Sequence, residues 1–107
     1  MSDYSTVKQY NKLVRDGIPA HLESKGVPYK SHIADETAYE EKLLQKLDEE
    51  FQEFKSSQSP DELADIFEVL DAIITHKGYT REQILSIQRT KASLRGRFQN
   101  RIILEES

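Results

Sequence analysis

KLDEEFQEF (Lys46–Phe54) and SPDELADIFEVLDAI (Ser59–Ile73) decide how this chain is read. Apolar residues in and around both stretches recur at the spacing of an amphipathic α-helix. Ser59-Pro60-Asp61-Glu62 supplies an N-cap serine, a proline at the first helical position and a glutamate three residues after the serine, the sequence of a capping box. The spacing predicts one long helix from about Glu36 to Ser56, a short turn, and a second helix ending at Gly78. A helix advances about 100° per residue, so residues three apart share a face. Glu50 and Glu53 then form one carboxylate pair, and Glu62 and Asp65 another. Antiparallel packing of the two helices would bring all four together. Such a group repels itself unless a cation sits within it, and hard oxygen donors of this kind suit Mg²⁺ or Mn²⁺.

Leu43, Leu47, Phe51 and Phe54 make the apolar stripe of the first helix, and Glu50 falls at its border. A carboxylate at the edge of a core is costly unless paired or metal-bound. Glu62 lies just inside the apolar arc of Leu63, Ile66, Phe67, Val69, Leu70, Ile73 and Ile74. It also has a plainer alternative: it could reach back to the Ser59 amide and close the capping box.

The length, 107 residues, suits one small domain, here residues 10–107 behind a loose polar segment, 1–9. The absence of cysteine removes disulfides, thiol nucleophiles and zinc–thiolate sites. No apolar run reaches the length of a signal peptide or of a membrane span, so no membrane partner is expected and the cytoplasm is the default location. A net charge of −4 conceals a segregation. Asp35 to Asp71 holds thirteen acids against three lysines, whereas Arg81 to Arg101 holds six basic residues against Glu82 alone. That division fits a cation held by one part and a phosphate chain by another, and argues against a nucleic-acid polymer as partner. It fits equally a set of solvated helix faces.

Pro19 and Gly26 bracket a short helix, and a weak alternation follows in VPYKSHI (Val27–Ile33). Thr80-Arg81-Glu82-Gln83 opens a third main helix with a capping box, its inner stripe being Ile84, Leu85, Ile87 and Leu94, and Gly96 ends it. NRIILEE (Asn100–Glu106) has strand-like content and could pair with residues 27–33. The expected fold is therefore mainly α: an antiparallel bundle of three main helices with a small two-stranded β element. The apolar arcs are wider than one neighbour can cover, so a homodimer or higher homo-oligomer is expected to complete it.

The pattern EExxE (Glu49, Glu50, Glu53) followed by ExxD (Glu62, Asp65) resembles that of the MazG-like all-α nucleoside triphosphate pyrophosphohydrolases, a superfamily that includes the dimeric dUTPases and phosphoribosyl-ATP pyrophosphohydrolase. YNKLVRDGIP (Tyr10–Pro19) and KASLRGRFQNRIIL (Lys91–Leu104) are similar to a small phosphoribosyl-ATP pyrophosphohydrolase-like branch. The chain departs from that branch at Gly17 and Arg97, and eight residues between Glu53 and Glu62 make a shorter linker than that of MazG. The resemblance implies that Glu50, Glu53, Glu62 and Asp65 bind Mg²⁺. Glu49 would stand behind the metal ligands or help to orient the attacking water. Members cleave a nucleoside triphosphate between its α- and β-phosphates, giving the monophosphate and pyrophosphate.

Phosphoryl chemistry of this kind also needs cations on the phosphate oxygens. Lys12 and Arg15 in one flank, and Lys91 and Arg95 in the other, are the candidates. Two alternatives stay open: hydrolysis of phosphoribosyl-ATP in histidine biosynthesis, and a non-catalytic helical protein whose acids are surface charge.

Overall fold

A computed structural model describes residues 10–107. The expected loose segment 1–9 lies outside the described residues. The described chain is mainly α, with α1 at Ile18–Ser24, α2 at Glu36–Ser57, α3 at Pro60–His76 and α4 at Arg81–Arg95.

Each helix boundary has a local cause. Asp35 starts α2 by accepting a 2.8 Å hydrogen bond from the Ala38 N–H. The helix ends at Gln58, whose left-handed backbone (φ 56°) directs its amide to the Phe54 carbonyl. Only Gln58 and Ser59 separate α2 from α3, the tight hairpin that the short linker predicts. Ser59 Oγ accepts from the Asp61 N–H at 3.2 Å, and Pro60 needs no donor at the first helical position. Past α3, Gly78 takes φ 80°, a conformation that costs a residue with a Cβ. Around Thr80 the capping box forms: the Gln83 N–H donates to Thr80 Oγ1 at 3.1 Å, and the Thr80 N–H donates to Gln83 Oε1 at 2.8 Å.

No strand occurs among the described residues, which overturns the expected β element. Arg101 lies at φ 57°, which breaks an extended run at the start of RIIL. Val27, Tyr29 and Ile33 are all exposed, so the alternation over 27–33 has no apolar face to cover.

The chain divides into two compact units, one ending at Ile73 and one of Ile74–Ser107, with the boundary inside α3. In the first unit the fully buried apolar residues are Leu43 of α2 with Ile66 and Val69 of α3. Glu50 is buried as well. The expected stripe on α2 is buried only in part: Phe51 is exposed, and so are Leu63, Phe67 and Leu70 on α3. In the second unit α4 buries no residue at all. Its expected inner stripe of Ile84, Leu85, Ile87 and Leu94 lies open to solvent, as do Phe98, Ile102, Ile103 and Leu104. The α4 side chains keep helical spacing, but the unit supplies no neighbouring layer to cover them.

Candidate metal centre

The site belongs to the first unit and is built around the hairpin. On α2, Lys46, Glu49, Glu50 and Glu53 fall at i, i+3, i+4 and i+7, so one side of the helix carries all four. α3 returns from the turn with Glu62 and Asp65 in its first two turns. Carboxylate oxygens of Glu49, Glu50 and Glu53 lie within 4.8 Å of one another, and so do those of Glu50, Glu62 and Asp65. All five acids singled out from the sequence are therefore brought together, and Glu50 belongs to both groups.

Glu50 is the unusual member, only 5% exposed. Its Oε2 is buried and has no hydrogen-bond partner. Burial, and then the charge of Glu53, push its carboxyl above the ordinary value, with Lys46 opposing both. An unpartnered buried carboxylate oxygen inside a ring of carboxylates has the surroundings that a hard divalent cation satisfies. The alternative role of Glu62 is not adopted. The Ser59 N–H donates instead to Ser57 Oγ at 3.2 Å, while the Glu62 carboxylate stands with Glu50 and Asp65.

Three cations face these acids. Lys12 Nζ lies 2.7 Å from Glu49 Oε1, and the bond holds the Glu49 carboxyl below its ordinary value and raises the lysine. Lys12 also sits 5.5 Å above the centre of the Tyr10 ring, within cation–π range. Arg15 Nη2 lies 2.7 Å from Asp65 Oδ1, with Nη1 4.0 Å from Glu68. Thus Lys12 and Arg15, expected to hold phosphate, lie directly on the acidic group.

Lys46 is the third cation, absent from the set expected from sequence. Its Nζ is 3.4 Å from Glu50 Oε1 and 3.7 Å from Glu49 Oε1. The i,i+4 spacing of Lys46 and Glu50 was the signal for it. Lys42, also unanticipated, donates a 2.6 Å hydrogen bond to the Asn11 carbonyl and so ties the Lys12 segment to α2. No spacing rule links residues 31 positions apart.

Lys91 and Arg95 belong to the exposed α4 of the second unit, where they line a cavity with Thr90 and Leu94. No helix among the described residues is long and apolar enough to cross a membrane. Comparison with protein-family models, with curated proteins and with solved structures gave no match.

Proposed function

We propose that this protein is a Mg²⁺-dependent nucleotide pyrophosphohydrolase, cleaving a nucleoside triphosphate between its α- and β-phosphates in a house-cleaning role. The observation that carries this reading is the buried Glu50 carboxylate, unpartnered at Oε2 and shared by two groups of three carboxylates. Glu50, Glu53, Glu62 and Asp65 would hold Mg²⁺, or Mn²⁺, through oxygen donors that suit either ion. Such an ion supplies charge neutralisation at the phosphate and acidifies bound water. Glu49, a carboxylate beside Glu50 and Glu53, can accept a hydrogen bond from the attacking water and orient it. Lys12 and Arg15 provide the positive charge that the phosphate oxygens require.

Lys91 and Arg95 complete the proposal through a homodimer. The exposed apolar residues of α4 and the C-terminal segment support a second copy as the missing layer, arranged as a helix bundle, in which basic residues of one protomer could serve the other.

The test is release of pyrophosphate and monophosphate from ordinary, deoxy and modified nucleoside triphosphates and from phosphoribosyl-ATP, with Mg²⁺ or Mn²⁺. Turnover that needs the ion and is lost in Glu50→Gln and Asp65→Asn supports the reading. Turnover confined to phosphoribosyl-ATP would move it to histidine biosynthesis. A chain that neither turns over nor binds a divalent ion would be the non-catalytic helical protein.

A further inference from the structure

The segment Tyr10–Asp16 lies outside helix and strand, yet it crosses the carboxylate group and is fastened to both helices of the hairpin. The Asn11 carbonyl accepts from Lys42, Lys12 pairs with Glu49, and Arg15 pairs with Asp65. The distribution of these pairs is informative. Glu49 belongs to the Glu49–Glu50–Glu53 group and Asp65 to the Glu50–Glu62–Asp65 group, so each receives one cation from the same segment. Both pairs are well exposed, at 40% and 29% for Lys12 and Glu49 and 57% and 38% for Arg15 and Asp65. Ion pairs of that exposure are weak and readily exchanged. A divalent cation held by Glu50, Glu53, Glu62 and Asp65 places two charges against the Asp65 oxygens that Arg15 occupies and close beside Glu49, where it repels Lys12. Mg²⁺ also tolerates little departure from its own geometry. Glu68, outside both groups and 4.0 Å from Arg15, offers the guanidinium an adjacent resting place.

From this geometry we infer that Tyr10–Asp16 is a cation-released strap. Without the ion its two basic side chains occupy the carboxylates; when the ion binds they are displaced and become available to an anionic ligand. The inference rests on the reading that these acids take a divalent cation, and it adds an order: cation first, phosphate-bearing ligand second. By linkage, a strap that competes with the ion must weaken its binding, and removing the strap's grip must strengthen it.

Two measurements on the full chain test it. Calorimetric titration with Mn²⁺ is expected to show severalfold tighter binding in Arg15→Ala than in the parent, and the same direction in Lys12→Ala, with helix content checked by circular dichroism. Trypsin must take the Lys12 or Arg15 side chain into its pocket, so cleavage after either residue is expected to speed up severalfold in Mg²⁺. Cleavage after Arg101, on the exposed C-terminal segment, serves as the internal reference. Unchanged or weaker Mn²⁺ binding in both variants would overturn the strap while leaving the metal site standing. Tighter binding without faster cleavage would reduce Arg15 to a nearby charge and overturn the strap as well. No Mn²⁺ binding in the parent or in either variant would overturn the metal reading beneath it.

Discussion

Glu50 concentrates the chemistry of the molecule in one side chain. Removing a carboxylate from water is unfavourable, and among the described residues Lys46 offsets it directly. Glu50→Gln keeps the shape and removes the charge. Its divalent affinity, followed by calorimetry, is expected to fall by at least the ~10–100-fold that changes around a metal's ligands cost. In a chelator the same substitution should leave the fold intact and raise the melting temperature. The pH dependence has a definite sign. The folded Glu50 carboxyl titrates above its ordinary 4.5, so between those values the folded state holds the extra proton. Stability of the metal-free parent from this group therefore falls as pH rises from about 4.5 through the raised value, and is level above it. Glu50→Gln lacks that fall, so its advantage should grow across the window in denaturant titrations. Glu49 runs the other way. Its pairing with Lys12 contributes stability above 4.5 that is lost as pH falls through the depressed value, and Lys12→Ala should flatten that loss.

At the scale of the element, helix ends were the most legible part of the chain. Pro19 and Pro60 act through a fixed φ and a missing donor, and Thr80, Gly78 and Gly96 through bonds to residues a few positions away, so their effect does not wait for packing. Thr80→Ala removes one half of the capping box and is expected to cost about 1 kcal/mol in urea denaturation, with Thr80→Ser restoring most of it. The β element failed for a complementary reason. A strand is stabilised by a partner and a face to cover, and neither Val27–Ile33 nor the segment containing Arg101 has them. The hairpin itself followed from arithmetic, since the short linker leaves only two residues outside the helices.

For the whole molecule, the issue is how little is fully buried. Leu43, Ile66 and Val69 are the buried apolar residues among those described, so each carries a large share of the packing. Leu43→Ala is expected to cost ~2–5 kcal/mol, read as a drop in the urea midpoint. The exposed apolar residues of α4 and the C-terminal segment form a surface that water covers at a penalty. If a second copy covers it, sedimentation should show a concentration-dependent dimer in the parent and a monomer in a variant carrying Leu94→Asp and Ile103→Asp. A monomeric parent would remove the dimer from the proposal.

Helix type, helix ends, the tight turn and the two carboxylate pairs were determined by the sequence alone. Each depends on residues close in the chain, where 100° steps and capping bonds leave few choices. Only the tertiary structure decided that Glu50 is buried and unpartnered, that Glu62 leaves the Ser59 cap for the carboxylate group, and that Lys12 and Arg15 lie upon the acids. It also exposed the stripe of α4 that periodicity marks as inward. Periodicity tells which residues share a face. Whether that face meets protein, water or an ion is settled by pairings across 37 and 50 residues of chain, which no local rule encodes.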